Sequence, residues 1–93
     1  MFERELENVM KYIKRIGARY QMIDTNGYVM IYVYEKDAYD KKNLHPGKYG
    51  DLYVSCLRIS DHGGDGLYTR RDGITREMTD NEIKDIIDEL TGI

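Results

Sequence analysis

The chain has no tryptophan, and its 93 residues include one phenylalanine, one cysteine and one proline. A single cysteine, Cys56, cannot close an internal disulfide. That excludes a disulfide-stapled miniprotein and points to a reducing compartment, the cytoplasm. No apolar run approaches the roughly 20 residues of a membrane-spanning helix. Charge begins at Glu3, where a secretory leader would turn apolar, so no leader is expected. Basic charge is also in short supply: 14 Lys and Arg stand against 17 Asp and Glu, a formal net charge of −3. Duplex binding rests on basic side chains neutralising phosphates, so a strongly basic nucleic-acid binder is excluded. Chemical motifs are missing as well. There is no Cys-x-x-Cys, no His-x-x-x-His and no phosphate loop with its Gly-Lys-Ser/Thr.

What remains is one domain, since a chain of this length supports a single modest core. Its first element is a helix over residues 3–16, where Phe2, Leu6, Val9, Met10, Ile13 and Ile16 recur at three- and four-residue spacing. Glu3, Glu5 and Glu7 at its start and Lys11, Lys14 and Arg15 near its end suit the helix dipole. Gly17 is placed for a left-handed C-terminal cap. Asn26-Gly27 then separates two strand-like runs, 19–25 and 28–36, with the strongest short hairpin signal available. Side chains alternate between faces along a strand, so Val29, Ile31 and Val33 share one face of the second run. Tyr28, Met30, Tyr32 and Tyr34 share the other.

Residues 37–50 carry no period and contain the only proline, Pro46, so they read as a long loop. A third strand is expected over 52–59, followed by a glycine-rich turn at 61–66. Two further strands, 67–71 and 74–78, flank Asp72-Gly73. Thr79-Asp80-Asn81-Glu82 has capping-box spacing and opens a last helix with Ile83, Ile86, Ile87 and Leu90 on one stripe; Gly92 ends it. The expected architecture is α+β: a two-layer sandwich, helix, four- or five-stranded antiparallel meander, helix, with both helices on one sheet face. The expected core is Leu6, Val9, Ile13, Ile16, Val29, Ile31, Val33, Ile83, Ile86, Ile87 and Leu90. The order helix, strands, helix resembles that of double-stranded-RNA-binding domains, but those need a basic start to the last helix. The acidic start here sets that assignment aside.

The tyrosines are the strongest functional signal. There are nine: Tyr12, Tyr20, Tyr28, Tyr32, Tyr34, Tyr39, Tyr49, Tyr53 and Tyr68. A buried hydroxyl needs a partner, so this chain is not using aromatics mainly to fill its core. Tyrosine suits surfaces that are apolar in one place and wet in the next, and it is enriched in interfaces. Tyr28, Met30, Tyr32 and Tyr34 fall on the face the helices should leave open, and Tyr20 can join them from the neighbouring strand if the register is kept. Such a row can pack on itself, contact a protein, or stack bases. Stacking needs a basic groove beside the aromatics, with Arg58, Arg70, Arg71 and Arg76 as candidates.

Residues 79–93 hold five acids and one base. Asp85, Asp88 and Glu89 there read as a solvated helix face or as a surface complementary to a basic partner. Cys56 with His45 or His62 would be needed for a nucleophile. Asp61, His62 and Asp65 would be needed for a metal site. Neither set has supporting spacing, so no catalytic residue, metal or cofactor is expected. The glycine loops around His45 and His62 leave a small-nucleotide pocket as an alternative. The leading expectation is a non-enzymatic module that binds a protein partner through Tyr28, Met30, Tyr32, Tyr34, Tyr39, Tyr49, Asp85, Asp88 and Glu89. A homodimer, formed through a strand edge or the tyrosine face, is also compatible. Size and acidity are those of the small proteins with which phages and mobile elements block host defence machinery, CRISPR nucleases included. That is a fit of class and not of motif.

Overall fold

The computed structural model describes residues 3–25, 27–36, 45–46, 52–53, 56–61, 66–71 and 73–92. Within them the elements run α1 (Glu3–Ile16), β1 (Tyr20–Thr25), β2 (Tyr28–Tyr34), β3 (His45–Pro46), β4 (Leu52–Tyr53), β5 (Cys56–Ser60), β6 (Tyr68–Arg71), β7 (Ile74–Glu77) and α2 (Asp80–Thr91). Five strands form an open antiparallel sheet in the order β1-β2-β5-β6-β7, and β3 pairs with β4 in a separate two-stranded piece. The architecture is the α+β arrangement expected. Two details differ from the expectation. Of the strand anticipated over 52–59, Leu52–Tyr53 (β4) and Cys56–Ser60 (β5) pair in different sheets, and the 37–50 loop contains β3, whose His45 and Pro46 pair with Tyr53 and Leu52. A two-residue pairing leaves no period for a sequence pattern to reveal.

The local signals explain the boundaries. Gly17 ends α1 at φ 71°, and Gly27 and Gly73 take φ 109° and 79° in the two short hairpin turns. Those values favour glycine because residues with a side chain are strained at positive φ, although the space around each is open. At α2, the Thr79 hydroxyl accepts from the Glu82 N–H at 3.2 Å, and the Thr79 N–H donates to the Glu82 carboxylate at 3.1 Å. That is the reciprocal capping box, and Gly92 closes the other end at φ 77°.

An odd number of antiparallel strands returns the chain to the end from which α1 set out, so the helices run in the same sense. The Asn8 amide donates to the Asp80 carboxylate at 3.2 Å near the start of α2, and the Tyr12 hydroxyl donates to Asp88 two turns on. Leu6, Val9 and Ile13 of α1 and Ile83, Ile87 and Leu90 of α2 close over Ile31, Val33, Leu57 and Ile59 in one buried cluster. Both helices therefore sit on one sheet face. Leu57, Ile59 and Leu67 belong to this core although the sequence alone did not place them. Ile16, Val29 and Ile86 are only partly buried at its margin.

Candidate functional site

Register decides which side chains share the face away from the helices. β2 pairs with β5 so that Met30 meets Ser60, Tyr32 meets Arg58 and Tyr34 meets Cys56. β5 pairs with β6 so that Arg58 meets Arg70 and Ser60 meets Tyr68. β6 pairs with β7 so that Tyr68 meets Glu77 and Arg70 meets Thr75. Opposed residues of an antiparallel pair point to the same side. The helix-free face thus carries Tyr28, Met30, Tyr32 and Tyr34 on β2, Cys56, Arg58 and Ser60 on β5, Tyr68 and Arg70 on β6, and Thr75 and Glu77 on β7. Gln21 and Ile23 of β1 complete it.

The expected row Tyr28, Met30, Tyr32, Tyr34 is therefore found together. Its four members are half-buried, whereas Ile31 and Val33 between them are fully buried on the other side. The Tyr32 hydroxyl points at the Met30 sulfur, 3.9 Å away, and the Tyr34 hydroxyl donates to the Gln21 side chain at 3.2 Å. Tyr28, Tyr34, Ser60 and Tyr68 make further interactions within the chain. An open groove of about 590 Å³ crosses the face between Tyr28, Met30, Tyr32, Arg58, Ser60, Tyr68 and Thr75.

Tyr20 does not join this row. It pairs with Val33, so its ring stands on the helix side of β1. The 19–25 run alternates as expected, but the two-residue turn puts its even-numbered members opposite the odd-numbered aliphatics of β2. Tyr12 is likewise a helix-layer residue, with Arg15 5.1 Å and Lys84 6.0 Å from its ring centre. Tyr68, Ser60 and Thr75 are face residues that sequence reasoning missed. Ser60 takes its face from the β2–β5 pairing, and Tyr68 and Thr75 take theirs from β5–β6 and β6–β7, offsets that no local sequence pattern fixes. Tyr39, Tyr49, His62 and Asp65 lie outside the described residues, and for His45 and Tyr53 only the backbone is described.

Of the four candidate arginines, Arg58 and Arg70 share the tyrosine face. Arg71 and Arg76 face the other way, since they oppose Ile74 and Thr69. Arg71 on β6 lies 3.7 Å from Glu89 on α2. Its Nε is buried without a partner beside a second groove of about 310 Å³ between α2 and β6–β7. Asp85, Asp88 and Glu89 sit on α2, across the sheet from the tyrosines. Two of these three acids already have partners within the chain: Tyr12 donates to Asp88, and Glu89 faces Arg71. The tyrosine row and the acidic helix are thus two surfaces and cannot be covered by one flat partner patch.

Cys56 is half-buried opposite Tyr34. Burial pushes its thiol above the ordinary range, with Arg58 pulling weakly the other way, so little thiolate is present at neutral pH. Asp61 accepts the Val29 N–H at 2.9 Å, a structural use of that carboxylate. Among the described residues no group of three His, Cys, Asp or Glu side chains is arranged to hold a metal ion, and no helix is long and apolar enough to cross a membrane. Comparison of the chain with models of known protein families, with curated proteins and with solved structures found no match.

Proposed function

We propose that the protein is a cytoplasmic, non-catalytic binding module that occupies a protein partner through the helix-free sheet face, in the manner of phage-borne inhibitors of host defence. One observation carries this reading. Tyr28, Met30, Tyr32, Tyr34 and Tyr68 share a single face with Arg58 and Arg70, and both helices lie on the opposite side. Tyrosine, methionine and arginine are the residue types enriched at interface cores, where rigid amphipathic rings supply area at low entropic cost. With Arg58 and Arg70 on the face, the complementary partner patch is acidic, whereas Asp85 on α2 suits a separate basic contact. Tyr39 and Tyr49 remain candidate contacts on sequence grounds alone.

A second reading has its own support. Arg58 directly opposes Tyr32, and a cation beside a stacking ring is what single-stranded nucleic acid requires. The small-nucleotide alternative rests on loops of which residues 47–50 and 62–65 lie outside the described residues.

Native mass spectrometry of the protein isolated gently from its own cells separates these readings. A stoichiometric protein mass on the wild type, lost in Arg58→Glu with an unchanged melting temperature, supports the module. A co-purifying oligonucleotide lost in the same variant moves the assignment to single strands. A bare chain in both samples removes the face as a binding surface.

A further inference from the structure

The two edges of the sheet are built differently. β7, Ile74–Glu77, is four residues long and carries Arg76 and Glu77. Short, charged edges are how natural sheets discourage further pairing. β1, Tyr20–Thr25, is six residues long with no proline and no lysine, and Asp24 is its only charge. Among the described residues no strand pairs with its outer side. Three large apolar side chains of the described chain stand exposed, and β1 holds two of them: Met22 at 51% and Tyr20 at 38%. Both project on the helix side, at the rim of the core, because they oppose Ile31 and Val33.

The hydrogen-bond phase of this edge is fixed. The Tyr34 N–H donates to the Arg19 carbonyl at 3.0 Å, which makes Arg19 and Tyr34 an exchanging pair. In an antiparallel ladder such pairs alternate, so Gln21, Ile23 and Thr25 also bond inward to β2. Tyr20, Met22 and Asp24 therefore turn their N–H and C=O groups to the free edge. A two-fold axis through Met22 would place Met22 opposite Met22 of a second copy, and Tyr20 opposite its Asp24. In that register every outward residue meets an outward residue. All six outward groups are paired, the two Met22 side chains bury each other, and each Tyr20 hydroxyl can donate to a carboxylate. A shift by one residue along either strand leaves some of these groups without partners.

We propose that this chain forms a two-fold dimer through β1, joining two five-stranded sheets into one continuous ten-stranded sheet centred on Met22. The proposal does not rest on the tyrosine-face reading, because the helix-free face stays accessible in the dimer. A contact built from one strand and its rim is at the small end of specific interfaces, below about 1,200 Å², so the dimer is concentration-dependent.

Sedimentation velocity over a concentration series tests it. The expected result is a mass rising from 10.9 kDa toward twice that value as concentration climbs. Met22→Lys, a charge at a half-exposed edge position, is expected to hold the protein at one chain with its melting temperature kept, while Tyr32→Lys leaves dimerisation intact. A wild type that stays at one chain throughout overturns the proposal. So does a dimer that survives Met22→Lys. If Met22→Lys fails to fold, Met22→Cys in a Cys56→Ser background decides. Opposed residues in the exchanging register lie about 5.5 Å apart at Cα, within disulfide reach. Oxidised glutathione is then expected to yield a covalent dimer with Met22→Cys and none with Ile74→Cys; no crosslink at Met22→Cys overturns the proposal.

Discussion

One strand, β2, faces two environments. Ile31 and Val33 are fully buried against the helices, while Met30, Tyr32 and Tyr34, one residue away on the same backbone, are half-buried on the opposite face. Backbone propensity is nearly equal on the two sides, so the difference in residue type reflects what each face touches. Branched aliphatics have no polar atom to satisfy and can be sealed under helices at no hydrogen-bonding cost. Tyrosines keep a hydroxyl that wants water or a partner, so they belong where water, or another molecule, can reach. The helix side holds the buried core, and the tyrosine side is the face we propose for recognition.

The contrast is sharpest where substitutions separate stability from surface. Truncating Ile59, fully buried on the helix side, removes transfer energy and leaves a cavity. Urea denaturation of Ile59→Ala is expected to show a loss of about 2–5 kcal/mol. Thr79→Ala breaks the capping box and is expected to cost roughly 1 kcal/mol, read the same way. A pH series probes the tie between the helices. The Asp88 bond, and then burial, raise the Tyr12 hydroxyl above its ordinary value near 10, so the folded state holds this proton more tightly than the unfolded chain does. Its contribution is whole below the unfolded value and drains as pH climbs through the folded one. Tyr12→Phe is expected to lower the melting temperature slightly at pH 7 and to flatten the alkaline loss. The smallest effect is chemical. Alkylation of native Cys56 is expected to be slow at pH 7 and to accelerate only above the usual thiol range near 8.5, without loss of fold. Fast labelling at neutral pH would contradict the half-buried placement of Cys56 beside Tyr34.

Much of this was legible in the residues themselves. The α1 stripe, the capping box at Thr79 and the glycine turns at Gly27 and Gly73 are local devices, and local devices announce themselves in sequence. The alternation in β2 likewise separated Ile31 and Val33 from Tyr32 and Tyr34. What escaped depended on long-range offset. Whether Tyr20 stood beside the other tyrosines depended on register, and the ladder put it opposite Val33 on the helix side. Leu57, Ile59 and Tyr68 could be assigned to a face only once β5 had found β2 and β6 had found β5. No periodicity within 52–59 or 61–66 encodes those encounters. For the acidic stretch at 79–93, composition showed five acids, and the structure adds that Asp88 and Glu89 also have neighbours within the chain, Tyr12 and Arg71.

Urea denaturation of Ile31→Ala and Tyr32→Ala in parallel tests the division of labour most directly, because the two residues are neighbours on one strand. The account predicts a loss of about 2–5 kcal/mol for Ile31→Ala and less than half of that loss for Tyr32→Ala. Equal losses, or a larger one at Tyr32, would make the tyrosine row a second core and contradict its assignment as a recognition face.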